Sequence, residues 1–286
     1  MKITIIGAGA IGLLLASSLE KKNEISVLVK KEHYNELIEK GLWIEKKVER
    51  KRIEAKIITE MDNPEIVIIA VKGYDLGLVS EILKDFKGKI IICQNGLKML
   101  DYKTPHNNEL FAIVTSIGAV SLERGLSRFM GTGRTVIGNL HQQGEERMGE
   151  LFSNEYFNMC DVENIRGEIW LKAAINSAIN PVAAFHNINN GQLKDKRYWI
   201  IVRKILEESV KVAVSKGIKL PKNPLEATEK IIENTSENIC SMLQDLKKGR
   251  KTEINEINGL IVKIAKEKNL SARLNLKYLK KIKSTS

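Results

Sequence analysis

The chain lacks any apolar run of the roughly 20 residues that a membrane-spanning helix needs, so no membrane partner is expected of its 286 residues. Its first apolar stretch, Met1-Lys2-Ile3-Thr4-Ile5-Ile6, runs straight into glycines without a small-residue cleavage site. That argues against a secretory signal and for a cytoplasmic protein. Proline is scarce, at 5 residues, while hydrophobic residues make up 43% and charged residues 28%, which excludes a disordered chain. Cysteine is scarcer still: Cys93, Cys160 and Cys240 are far apart and form no CxxC pair. Neither a metal site nor a redox pair is therefore expected, and the default reading is three reduced, mostly buried thiols.

Acidic side chains are in the minority, 35 against 46 Lys and Arg, giving a net charge of +11. The excess concentrates in residues 242–286, which hold 12 basic and 4 acidic side chains. A basic tail can attract nucleic acid. Here, however, the charges alternate with Leu, Ile and Ala at helical spacing, the pattern of a solvated face. No nucleic-acid partner is expected, and an anionic small ligand becomes the better explanation of the charge.

The first forty residues support that explanation. Lys2 to Ile6 is a short β-branched run, followed at once by Gly7-Ala8-Gly9-Ala10-Ile11-Gly12 and an apolar helical stretch. In a strand, tight turn and helix of this kind, Gly7 permits the turn, Gly9 admits a pyrophosphate to the backbone, and Gly12 allows close packing of helix on strand. The exposed N–H groups and the dipole at the helix N-terminus then favour the phosphates of a dinucleotide. A second strand, Glu24 to Val29, ends in Lys30-Lys31 rather than in the Asp or Glu that accepts from the ribose hydroxyl of NAD. Two cations there favour NADPH over NADH, although Glu32 follows directly and lysines at a strand end are often only solvated.

The alternation continues with buried strands at Pro64–Val71 and Lys89–Cys93, a helical segment around Leu76–Phe86 between them, and further β-rich runs at Glu109–Val120 and Thr135–Gly138. This is the pattern of a doubly wound parallel α/β sheet, a Rossmann-type fold, with Lys72 and Asn95-Gly96 just past strand ends, on the edge where such sheets bind ligands. Lys46 to Lys56, mixed in charge, reads as an exposed hairpin or edge segment.

From Ile165 the pattern turns helical, with breaks expected near Pro181, Asn189–Gly191, Gly217–Pro224 and Lys248–Lys251. At roughly 100–200 residues per domain, the division is residues 1–165 as a dinucleotide-binding domain and 166–286 as an all-helical substrate and dimerisation domain. Within Glu168–Pro181 the polar residues Lys172, Asn176 and Asn180 recur every fourth position and share one face of an otherwise apolar helix. A lysine in that setting is costly to bury unless it is paired or has a task. It is either a catalytic group or a lysine snorkelling to solvent.

These residues together resemble the ketopantoate reductases (2-dehydropantoate 2-reductases), which reduce the keto group of ketopantoate with NADPH on the route to pantothenate and coenzyme A. The resemblance covers nearly the whole chain. It is carried by the glycine turn, Ala70-Val71-Lys72, Gln94-Asn95-Gly96, Trp170-Leu171-Lys172 with Asn176 and Asn180-Pro181, Asn190-Gly191, Ser241 to Asp245, and Gly249 to Ile254. It implies that Lys172 donates the proton, that Asn176, Asn180, Asn190 and Ser241 hold the substrate with Asn95 beside them, and that Glu253 lies next to cofactor and substrate. Lys72, Asn95 and Ala119 would join the glycine turn and Lys30 as cofactor contacts. Lys98, Asp101 and Asn255 depart from the family's usual Gly, Glu and Asp, which bears on the substrate more than on the reaction.

The chemistry is consistent with those roles, since hydride arriving at a keto carbon leaves charge on oxygen that a lysine can both stabilise and protonate. The asparagine amides and Ser241 are suitable donors to a carboxylate. Asn176 and Asn180 could instead serve helix backbone before Pro181, and Glu253 could be a first-turn charge on a new helix. The expected protein is an NADPH-dependent reductase of a small 2-oxo acid, acting as a homodimer. The alternatives are a related dehydrogenase of another 2-oxo or 3-hydroxy acid, and an NADPH-binding regulator without turnover.

Overall fold

The computed structural model describes residues 1–141 and 147–285. The chain divides into two compact units, Met1–Gln94 with Tyr102–Ile165, and Asn95–Asp101 with Arg166–Ser286. The short segment Asn95–Asp101 thus goes with the helices rather than with the sheet that precedes it.

The first unit opens with β1 (Lys2–Ile6), α1 (Ala10–Leu19), β2 (Glu24–Leu28) and α2 (Lys31–Lys40). There follow β3 (Trp43–Lys46), β4 (Glu49–Arg52), β5 (Lys56–Ile58), β6 (Ile66–Ile69), α3 (Leu76–Ile82), β7 (Lys89–Ile92) and β8 (Leu110–Thr115). It closes with β9 (Gly118–Glu123), β10 (Leu126–Gly131), β11 (Thr135–Asn139), α4 (Gly149–Phe152) and β12 (Met159–Asp161). Eight strands form the main sheet in the order β12-β11-β8-β7-β6-β1-β2-β5. All pairs are parallel except β8 with β11. The central strands are near-continuous Ile and Val because parallel strands are covered on both faces; Ile3, Ile5, Ile68 and Ile91 are fully buried. Beneath β1 and β2 the Asp62 carboxylate accepts from Thr4 Oγ1 at 3.0 Å and Ser26 Oγ at 2.8 Å. Burial pushes its pKa up, but those hydroxyls and Lys2 outweigh burial and hold it below the usual carboxylate value.

A separate four-stranded sheet, β4-β3-β10-β9, packs on α1. The expected hairpin is there as β3 and β4, but it also pairs in parallel with β10, Trp43 opposite Leu126. Glu45 on β3 holds this sheet by accepting from Arg50 on β4 and Arg128 on β10. The second sheet explains why α1 is apolar all round, with Leu13, Leu14, Leu15, Ala16 and Leu19 all buried. The expected single run Glu109–Val120 is split between the two sheets, the chain turning where Thr115 Oγ1 accepts the N–H of Ile117 at 3.1 Å.

The second unit contains α5 (Ile165–His186), α6 (Lys196–Ser215), α7 (Pro224–Asn234), α8 (Ser241–Lys247), a π-helical turn at Asn255–Gly259, α9 (Leu260–Glu267) and α10 (Arg273–Lys283). Asp195 and Asn223 cap α6 and α7 by accepting backbone N–H groups of their first turns. The expected break at Pro181 does not occur, and α5 runs through it. Proline removes one helical donor, and a side-chain amide, Asn258 Nδ2, takes that donor's place on the Ser177 carbonyl at 3.0 Å. Among the described residues no helix is long and apolar enough to cross a membrane.

Candidate functional site

In the first unit the sequence Gly7 to Gly12 forms the link between β1 and α1. Gly7 has φ +113°, a backbone conformation that L side chains rarely adopt. A Cβ on Gly12 would stand 2.0 Å from the Gly7 carbonyl oxygen, so helix and strand touch there through backbone alone. A Cβ on Gly9 would meet nothing within 4 Å, and Gly9, the N-cap of α1, receives no side-chain cap. Ala8, Ala10 and Ile11 fill the turn with small or apolar side chains that offer no competing acceptor. The first-turn N–H groups of α1 are therefore available to a ligand oxygen, and an open space lies over Gly9. This cradle fits the pyrophosphate of a dinucleotide.

The other expected cofactor residues of this unit occupy strand ends or the second sheet. Lys30 follows β2 and is the exposed N-cap of α2. Its neighbour Lys31 is paired with Glu60 at 3.1 Å, both side chains largely exposed. Lys72 follows β6, half-buried. Ala119, half-buried, lies on β9 in the four-stranded sheet. Sequence reasoning assigned Gln94 no role; its amide donates to the Val71 carbonyl at 2.8 Å while its buried Oε1 has no hydrogen-bond partner. Its place two residues past the end of β7 was the available signal.

In the second unit Lys172, Asn176 and Asn180 do lie on one face of α5, the first two half-buried and Asn180 only 7% exposed. Asn190 is equally buried and fixed from two sides: its N–H donates to the Asn238 carbonyl at 3.0 Å and its Nδ2 to Thr235 Oγ1 at 2.9 Å. Its Oδ1 has no partner, which leaves a buried acceptor ready for a donor. Thr235, which orients this amide, carries no motif that would reveal it in the sequence.

Asn95 and Glu253, 158 residues apart, are brought together: Asn95 Nδ2 donates to Glu253 Oε2 at 3.0 Å. Backbone contacts secure the pair, since Leu97 N–H donates to the Glu256 carbonyl at 3.1 Å. Gly96, at φ +85°, approaches that carbonyl so closely that a Cβ would lie 2.5 Å from its oxygen. Ser241 is exposed at the start of α8. Beside it the Cys240 thiol is buried, and burial pushes its pKa up to about 11, so it is an inert thiol at neutral pH. No cluster of His, Cys, Asp and Glu able to hold a metal occurs among the described residues.

Residues 3–142 match the family described as Ketopantoate reductase PanE/ApbA, and residues 164–284 match its C-terminal domain. A 2-dehydropantoate 2-reductase of Pyrococcus horikoshii is 36% identical over 96% of this chain and 94% of its own length. Among solved structures, a probable 2-dehydropantoate 2-reductase of Bacillus subtilis superposes with a TM-score of 0.88 at 23% identity, covering 100% of both chains. A D-mandelate dehydrogenase in complex with NADH superposes equally well, TM-score 0.88 at 24% identity, over 99% of this chain and 98% of that one. At these identities the two structures speak for the fold.

Proposed function

The chain belongs to the ketopantoate reductase family, and from that premise we propose that it reduces the keto group of 2-dehydropantoate to pantoate with NADPH. The observation that carries the reading is the single face of α5 on which a half-buried lysine stands in line with two amides. Three polar side chains in register on an otherwise apolar helix supply the cation and the amide donors that a 2-oxo acid needs.

The glycine turn and the uncapped start of α1 would hold the cofactor's pyrophosphate, with Lys30, Lys72 and Ala119 as further contacts. Bound there, a reduced nicotinamide supplies hydride. Lys172 stabilises the growing negative charge on the keto oxygen and transfers its Nζ proton to it, giving the hydroxyl. Asn176, Asn180 and Ser241 replace the water lost by the substrate carboxylate with N–H and O–H donors. The free Oδ1 of Asn190 accepts from a substrate hydroxyl, and Glu253, oriented by Asn95, accepts from a second donor beside the lysine.

NADPH is preferred because Lys30 is an exposed cation where NAD-specific sites carry a carboxylate. The reaction belongs to pantothenate and coenzyme A biosynthesis in the cytoplasm, carried out by a homodimer. The test is loss of NADPH absorbance on adding ketopantoate, run beside NADH and 2-oxoisovalerate, with D-mandelate and NAD as the reverse assay. Oxidation fastest with NADPH and ketopantoate supports the reading. Turnover of D-mandelate in preference, or NADPH binding without turnover of any 2-oxo acid, overturns it.

A further inference from the structure

Helix α5 contains a proline, Pro181, at the residue directly after Asn180. Proline has no N–H, so the carbonyl four residues earlier, that of Ser177, loses its helical donor and is also crowded by the ring. A carbonyl left so inside a protein costs free energy. Asn258 occupies this position from the π-helical turn Asn255–Gly259: its Nδ2 donates to the Ser177 carbonyl at 3.0 Å. The same Nδ2 donates to Asn275 Oδ1 at 3.0 Å, whereas Asn258 Oδ1 has no partner. The position uses the amide for its two N–H groups, which neither Asp nor an apolar residue could supply.

The amide is itself held. Asn258, Asn275, Ser177 and Ser209 are all 0% exposed. Asn275 Nδ2 donates to Glu208 Oε2 at 2.9 Å, and Glu208 accepts the N–H groups of Leu274 and Asn275 at 2.9 and 3.0 Å. The hydroxyls of Ser177 and Ser209 meet at 2.8 Å. A largely buried polar network therefore joins α5, α6, α10 and the π-helical turn, and Asn258 brings it to the interrupted backbone of α5 three residues before Asn180. Single π-helical turns of this type are frequent at functional sites.

We propose that Asn258 is a positioning residue for Asn180: it replaces the hydrogen bond that Pro181 removes and so fixes the course of the α5 turn bearing Asn180. The proposal rests on the reading above that Asn180 holds substrate. Lys172, more than a turn before the interruption, lies on the part of α5 that keeps its own backbone ladder, so Asn258 acts on substrate binding and not on proton transfer.

The experiment is a double-mutant cycle with Pro181→Ala, which returns an N–H to residue 181. Asn258→Ala alone raises KM for ketopantoate about tenfold, the worth of the one substrate hydrogen bond that a displaced Asn180 loses, with kcat within about twofold. In the Pro181→Ala background the same change moves KM no more than about threefold. Asn258→Leu, close in size and without any donor, follows Asn258→Ala and serves if the alanine variant does not fold. An equal KM penalty in both backgrounds, or a loss confined to kcat, overturns the proposal. If the parent protein reduces no ketopantoate, the functional reading falls by itself. The cycle is then read in Tm, where a smaller loss in the Pro181→Ala background supports the replaced hydrogen bond and strictly additive losses overturn it.

Discussion

The Gly7–Gly12 turn and the polar face of α5 both present hydrogen-bonding groups at fixed points, and they are built by opposite means. In the turn the groups are backbone N–H, held by the absence of side chains: strand and helix approach until the Gly12 position lies against the Gly7 carbonyl. On α5 and in the turn that follows it the groups are side chains, and they lie beside partners distant in sequence, Asn258 at the Ser177 carbonyl of α5 and Thr235 at Asn190 beyond its end. A backbone site tolerates many side-chain changes around it but no added Cβ at the point of closest approach, Gly12. A side-chain site can lose function through a residue that touches no ligand.

The largest effect expected from breaking this contrast is at Lys172. Lys172→Ala should lower kcat for ketopantoate at least about a hundredfold, the usual contribution of a general acid, while Tm changes little because the side chain is half-buried at the helix surface. Steady-state kinetics beside a melting curve checks both. Next is Gly12→Ala: its Cβ would sit 2.0 Å from a backbone oxygen that has no freedom to yield. It should cost about 1–3 kcal/mol of stability, as overpacking does, and weaken NADPH about tenfold or more, a loss of at least about 1.4 kcal/mol of binding energy. Isothermal titration and denaturant unfolding would show it, and unchanged affinity would remove the turn from the cofactor site.

The smallest effect sharpens the contrast from the structural side. Asp62 has its pKa held below the usual value despite burial, so its contribution to stability is present above the unfolded carboxyl pKa of about 3.9. That contribution is lost as pH falls through the folded value. Tm should therefore fall less steeply between about pH 5 and pH 3 in Asp62→Asn than in the parent protein. Parallel curves would show that the Thr4 and Ser26 hydroxyls do not favour the charged form.

The same division decides how much was legible in the sequence. The glycine turn, the central Ile and Val strands and the i, i+4 spacing of Lys172, Asn176 and Asn180 are local patterns, set by φ, by burial on two faces and by helix period. The four-stranded sheet was not legible, because its central pairing joins Trp43 to Leu126, far along the chain. Pro181 reads locally as a break, whereas the helix runs on and the amide that meets the Ser177 carbonyl comes from 81 residues away. The Asn95–Glu253 pair spans 158 residues and carries no pattern of its own. Only the family resemblance names both residues, and it does not supply the hydrogen bond that orients one by the other.

The central claim is a division of labour, with cofactor held by the backbone turn and the proton supplied by α5. The most direct test is the NADPH dissociation constant of Lys172→Ala, measured by titration on the same preparation whose turnover has been lost. The account predicts an affinity within about twofold of the parent protein while kcat is down at least about a hundredfold. Loss of NADPH binding in step with turnover would contradict it, and would make Lys172 part of the cofactor site rather than the proton donor.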